Sequence, residues 1–346
     1  MYLCSDFMRI DDKQQPDTWR LPAEWEPQLG VQLTWPHEDT DWAPMLDEIC
    51  ATYKEMANVI SRREPLLIIG ERGFDFPSDD TWARDHGFIS LVDDKGHRRL
   101  VDFCFNGWGE KFPAEQDNAI NRQIYEYGII TGEYIDCLDF VLEGGSIESD
   151  GRGTVFTTSG CLLAPHRNQP LTKAQIEARL LQELHAKRIL WIDHGALTGD
   201  DTDGHIDTLV RICPDDTLLY VGCDDPGDEQ YAELKLMEEQ LRTFRTLERE
   251  PYHLVKLPLP RPIYQPTLSI VPGAPKQERL PATYANFLVI NGAVLCPVYG
   301  QPDLDDLAMR LIGEAFPDRQ VIPIDCRSII KQHGSLHCCT MQFPKI

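Results

Sequence analysis

Apolar residues at Met45, Leu46, Ile49, Tyr53, Met56 and Ile60 recur at helical spacing, which predicts an amphipathic helix over 41–62. The short apolar run at 66–70 then reads as a buried strand. Further strands are predicted at 87–92, 99–104, 138–142, 153–157, 188–193, 206–212, 217–222, 286–290 and 293–297. Further helices are predicted at 117–127, 172–185, 228–247 and 303–315. Within 228–247, Tyr231, Leu234, Met237, Leu241 and Phe244 make one apolar face opposite a charged one. Thr172 with Gln175 three positions on suits a helix-opening capping box. This alternation runs from end to end without a flexible linker, so the pattern predicts an α/β fold in a single domain over 1–346, with 1–20 as an N-terminal extension. The least regular stretch is the proline-rich segment 258–281, which fits an active-site lid and a rigid surface crossover equally well.

Composition narrows the partners. The formal net charge of −23 argues against nucleic acid, which wants a basic face. It is compatible with a cationic ligand, because a negative cleft attracts one, although most of these charges serve a solvated surface. Eleven cysteines occur without a CxxC pair, and some, such as Cys104 and Cys296, end or interrupt apolar runs. That usage reads as reduced thiols in a cytoplasmic protein rather than a disulfide framework. No basic-then-apolar leader opens the chain and no apolar run approaches the ~20 residues of a membrane span, so neither secretion nor a membrane partner is expected. Oligomeric state stays open, a homo-oligomer included.

Five glycine-bearing segments hold the candidate chemistry: Trp82-Ala-Arg-Asp85-His-Gly, Glu143-Gly-Gly-Ser, Asp203-Gly-His205-Ile-Asp207, Tyr284-Ala-Asn286 and Gly334-Ser-Leu-His337-Cys338-Cys339. If His205 opens a strand, Asp207 shares its face, which would put a histidine and a carboxylate in one site; a surface role suits them as well. Arg84 and Asp85 would then face opposite sides of a strand, only one of them entering the site. Glu143 follows an apolar run and either makes a simple turn or orients a histidine. Cys338 sits in a polar, loop-like setting that suits a nucleophile, against the usual buried structural thiol. Zinc is a rival use of His205, Asp207, His337 and Cys338, but structural sites usually show closely paired ligands and none are present, so no metal is expected. These residues recur about every 60 positions, or twice that, as a ring of similar strand–helix units around one centre would require.

Taken in order, the motifs resemble the agmatine deiminases and bacterial-type peptidylarginine deiminases of the guanidino-group-modifying superfamily. The resemblance runs from Pro22-Ala-Glu-Trp25-Glu-Pro and Thr34-Trp-Pro through Trp82-x-Arg-Asp85, Phe105-Asn-Gly-Trp108-Gly, Leu142-Glu-Gly-Gly-Ser146 and Arg167-Asn168. It continues through Asp203-Gly-His205-Ile-Asp207 and Tyr284-Ala-Asn286-Phe to His337-Cys338. It implies a five-bladed, pseudo-symmetric α/β-propeller. It implies Cys338 as nucleophile, His205 as acid/base, Glu143 as the carboxylate that orients it, and Asp85 and Asp207 as the grip on a guanidinium. Trp82 would form an aromatic wall, with Trp108 and Asn286 as further substrate-binding positions.

The implied reaction is hydrolysis of a guanidinium through a covalent thiouronium on Cys338, without metal or organic cofactor. Two carboxylates can hold the planar cation by charge-assisted hydrogen bonds. Those same charges disfavour the thiolate in an empty site, so substrate binding is expected to promote ionisation of Cys338. Agmatine, giving N-carbamoylputrescine and ammonia, is the first expectation; free or peptidyl arginine is the second, and a non-catalytic guanidine-binding protein the third. Departures bear on the substrate rather than the chemistry: His86-Gly-Phe where the family reads Ser/Thr-Gly-Pro, Thr208 where it often has Asn, and Cys339 where it has an apolar residue.

Overall fold

The computed structural model describes residues 18–70, 72–266 and 277–346. Among the described residues the chain forms five three-stranded sheets and one two-stranded sheet. Each central strand pairs antiparallel with one neighbour and parallel with the other, and the crossover to the parallel neighbour carries a helix. The central strands are Gln28–Thr34, Arg98–Cys104, Thr154–Thr158, Thr217–Gly222 and Ala293–Val298. Their crossover helices are Leu46–Ser61, Glu115–Glu126, Lys173–Glu183, Tyr231–Leu241 and Pro302–Ala315. The first unit takes its antiparallel strand, Thr340–Pro344, from the other end of the sequence.

Local chemistry explains the helices. Ile49, Tyr53, Met56 and Ile60 are fully buried on one face of Leu46–Ser61, each worth about 1.5–3 kcal/mol of apolar burial. The Thr172 hydroxyl caps Lys173–Glu183 and Gln175 returns the bond, the expected capping box. The helix predicted over 228–247 is shorter: it stops at Leu241, and Arg245 turns back to bridge Pro251. Its last apolar residue, Phe244, packs against the same core from beyond the helix end.

Two sequence readings fail at the site. The segment predicted as a strand at 206–212 opens as a 3₁₀ turn, Ile206–Thr208, with its strand confined to Val210–Cys213. Arg84 and Asp85 lie on a short helix, Ala83–His86, not on a strand. Both corrections share a cause, because the chain reaches each antiparallel edge strand through a tight turn. The strands at Ile89–Val92, Ile147–Ser149, Val210–Cys213, Leu288–Ile290 and Thr340–Pro344 are preceded by Asp85, Glu143, His205 with Asp207, Asn286, and Cys338. One chemically equipped turn therefore precedes the same strand of every unit.

Part of 258–281 is regular: Tyr264–Pro266 pairs antiparallel with Gln277–Arg279. Residues 267–276 of the expected lid, and 1–17 of the expected extension, lie outside the described residues. Arg20 bridges Val92, which ties the described start of the chain to a sheet. No helix among the described residues is long and apolar enough to cross a membrane.

Candidate active site

A cavity of about 170 Å³ has Cys338 and Asp85 in its wall, together with Trp82 and Trp108. The rest of its lining is Asp41, Asp80, Phe112, Asp201, Thr202, Gln332, His333 and Gly334. Gly334 is required there, because a Cβ on it would fall 2.1 Å from the Trp82 ring. Glu143, His205, Asp207 and Asn286 are fully buried behind this wall.

Asp85 is fixed from two sides. Trp108 Nε1 donates to Oδ2 at 3.0 Å and the Gly145 amide donates to Oδ1 at 2.9 Å. Trp108 reaches it from a left-handed backbone conformation, φ 56°, an unusual state for a bulky residue. Burial pushes the Asp85 carboxyl up to about 6; His205 opposes the shift, and the charges of Asp207 and Glu143 add to it.

His205 stands between two carboxylates, its Nδ1 3.6 Å from Asp85 and its Nε2 3.5 Å from Glu143. Neither nitrogen makes a hydrogen bond, so these are ion-pair contacts. Burial alone would favour the neutral ring, but the charge of Asp85 foremost holds it protonated well above the ordinary histidine range. Glu143 also receives Arg167 Nε at 2.8 Å and Cys161 Sγ at 3.5 Å. Against the upward push of burial, His205 and Arg167 keep the Glu143 carboxyl below its usual value.

Asp207 Oδ2 lies 2.8 Å from His337 Nδ1 and 3.8 Å from Cys338 Sγ. Its Oδ1 is buried and has no hydrogen-bond partner. Asn286 Oδ1 receives the His337 amide at 2.8 Å and the Cys338 thiol at 3.4 Å, so Asn286 touches the cysteine and not the cavity. Burial pushes the Cys338 thiol well above the ordinary range, and Asp207 and Asp85 push it further.

These groups converge at Gly145. A Cβ there would lie 2.7 Å from His205 Nδ1, 2.8 Å from Asp85 Oδ1 and 3.2 Å from Asp207 Oδ2. The glycine keeps open the space those three groups share. Two trios, Glu143–Cys161–His205 and Glu24–Glu148–His337, bring metal-ligand atom types within 4.8 Å of one another. Both already hold an arginine: Arg167 on Glu143, and Arg211 on Glu24 and Glu148.

All eight residues singled out from the sequence thus fall in or directly behind one cavity. Sequence reasoning missed the anionic wall of Asp41, Asp80 and Asp201, and the work of Arg167, Glu24 and Gly145. The Asp80–Trp82 spacing carried a signal, because Trp82 Nε1 bonds Asp80 at 3.0 Å while Trp42 Nε1 holds its other oxygen at 3.0 Å.

Comparison with known proteins places this geometry. The agmatine deiminase of Stutzerimonas stutzeri is 33% identical over 95% of this chain and 96% of its own length. A structure from Porphyromonas gingivalis, provisionally described as an arginine deiminase, is 47% identical, with a TM-score of 0.87 over 94% of this chain and 98% of that one. A Cys-to-Ser variant of the C. jejuni agmatine deiminase with substrate bound is 36% identical, with a TM-score of 0.86 over 94% and 96%. The model of the Porphyromonas-type peptidyl-arginine deiminases matches residues 20–344, and the chain belongs to that family of hydrolases acting on amidine C–N bonds.

Proposed function

We propose that the protein deiminates agmatine to N-carbamoylputrescine and ammonia. One observation carries the choice of substrate: among the described residues the cavity wall holds four carboxylates, Asp41, Asp80, Asp85 and Asp201, and no lysine or arginine. Agmatine is a dication. With its guanidinium beside Asp85, its ammonium lies among the other three. Free arginine would bring a carboxylate to the same wall, where like charges repel.

The guanidinium lies between Asp85 and the open Oδ1 of Asp207 and presents its central carbon to Cys338 Sγ. The incoming cation offsets the two charges that disfavour the thiolate, so the thiol ionises as substrate binds. Sulfur attacks carbon, and the C–N bond breaks as His205, held as imidazolium, gives its proton to departing ammonia. Neutral His205 then takes a proton from water, which attacks the thiouronium carbon. The adduct's hydroxyl proton passes to sulfur as the C–S bond breaks, releasing the ureido product and the free thiol. Glu143 holds His205 in place, and Asn286 holds Cys338. The chemistry calls for no metal or organic cofactor.

We further infer that the five sheet units are the blades of a pseudo-symmetric α/β-propeller closed by the pairing of Gln28–Thr34 with Thr340–Pro344, all within one deiminase domain. A reducing, cytoplasmic setting suits the ten described cysteines, which are all free. The decisive experiment is a panel of agmatine, arginine, a blocked arginine peptide and N-carbamoylputrescine, scored for ammonia and ureido product. Agmatine is expected to give the highest kcat/KM; a preference for arginine or the peptide overturns the substrate assignment.

A further inference from the structure

His337 precedes the nucleophile in sequence and lines no part of the cavity that holds it. Its two ring nitrogens each meet a carboxylate: Nδ1 is 2.8 Å from Asp207 Oδ2 and Nε2 is 2.7 Å from Glu24 Oε2. An ionised carboxylate only accepts hydrogen bonds, so the ring serves both partners only as a doubly protonated imidazolium. Around it, Arg211 Nη2 also donates to Glu24 Oε2 and stands 3.2 Å from His337 Nε2. Arg211 Nε continues to Glu148, and Arg84 adds its charge to Glu24. The side chains of His337 and Asp207 are 2% and 0% exposed, so water does not compete for the bond between them, whereas Glu24, 13% exposed, borders a second cavity that His337 also lines. The clamp engages only one Asp207 oxygen. The other, Oδ1, is buried without a donor, a costly state that a guanidinium N–H would relieve.

We propose that His337 is a positioning residue for deimination: held between Glu24 and Asp207, it sets Asp207 so that Oδ1 faces the substrate guanidinium. This rests on the guanidine reading of the site. His337 does not touch substrate; it acts through Asp207.

Two isosteric substitutions separate this role from mere support of the fold. In His337→Asn the amide nitrogen can take the place of Nδ1 and keep the Asp207 bond. In His337→Gln the amide reaches the Nε2 end and keeps only Glu24. Loss of one charge-assisted hydrogen bond is worth about tenfold in binding. His337→Gln is therefore expected to raise the agmatine KM roughly tenfold with kcat within about threefold, while His337→Asn keeps KM within about threefold of wild type. Equal KM values for the two variants, or a lower one for Gln, overturn the proposal, because a structural role draws on either end alike. A second measurement needs no variant: ¹⁵N spectra of the wild-type histidines. The clamp requires a proton on both His337 ring nitrogens, and one bare nitrogen overturns it. Wild-type ammonia release tests the guanidine reading separately. An active wild type with indistinguishable variants sinks only the role of His337; a wild type inert toward every guanidine sinks both.

Discussion

Two buried histidines each stand between two carboxylates, and the difference between them divides chemistry from support. His337 meets Asp207 and Glu24 at 2.8 and 2.7 Å, inside hydrogen-bond range. His205 meets Asp85 and Glu143 at 3.6 and 3.5 Å, and neither of its nitrogens is hydrogen-bonded. A tight bond at each nitrogen immobilises a ring and its protons. A looser electrostatic cage keeps a ring charged while leaving its protons free to move. The sequence gives no hint of this contrast, since each is a histidine near a glycine turn.

The sharpest way to break the comparison is to remove each side in turn. Replacing His205 with Asn leaves the guanidinium grip intact and deletes the proton donor. It should cut kcat by about 10²–10⁴-fold with little change in KM. Cys338→Ser should abolish turnover while the protein still binds agmatine in calorimetry. If either variant instead shifts KM alone, the division between a reacting side and a positioning side collapses.

Gly145 tests whether the looseness around His205 is functional. A methyl there would intrude between His205 Nδ1, Asp85 Oδ1 and Asp207 Oδ2, two of those contacts lying under 3.0 Å. Gly145→Ala is expected to lower kcat/KM by about 10²-fold, in line with misplacement of catalytic groups by an ångström. Thermal unfolding should drop modestly, by about 1–3 kcal/mol of overpacking. Wild-type kinetics in this variant would mean that the shared space is not where the guanidinium reacts.

Much of this layout was legible beforehand, and the failures are informative. The helix at 46–61 announced itself because its buried residues fall every three or four positions. The strand Gln28–Thr34 did not, because Gln28 and Gln32 are buried polar residues that break the alternation. Thr340–Pro344 was invisible because its partner lies at the far end of the sequence. His205 and Asp207 were expected to meet across a strand face; they meet through a 3₁₀ turn instead, and Gly145, some 60 residues away, supplies the room. The chemistry survived this error because the residue types restrict the site more than the local backbone does. The wall formed by Asp41, Asp80 and Asp201 went unnoticed because, in a chain of net charge −23, acidic residues do not stand out until the fold brings three to one place.

Acid titration sharpens the comparison further. Burial raises the Asp85 carboxyl to about 6, whereas His337 foremost holds the Asp207 carboxyl below its ordinary value despite burial. As pH falls through about 6, Asp85 protonates first and the guanidinium loses one partner while Asp207 stays ionised. Agmatine kcat/KM should therefore drop about tenfold per pH unit below that point. Burial also pushes the Asp80 carboxyl on the same wall up to about 6, so in Asp85→Asn, along with the loss of most of the activity, the low-pH limb should shrink to the part that Asp80 contributes. A wild-type profile flat down to about pH 5 would place the titrating group elsewhere.

The smallest expected effect belongs to a residue that touches neither pair. Asp201 lies on the cavity wall with its side chain 45% exposed and 3.8 Å from His333. Its attraction for a bound ammonium is screened, worth about 1 kcal/mol, or roughly fivefold in KM. Asp201→Asn should raise the agmatine KM by that amount with kcat unchanged. Butylguanidine, which has the same guanidinium and no distal ammonium, provides the contrast: its KM should not move. If both KM values rise together, Asp201 acts on the guanidinium end, and the wall carboxylates do not select a dication. If only the agmatine value rises, recognition of the two cationic ends is separable, with the His205 and His337 pairs serving one end and the acidic wall the other.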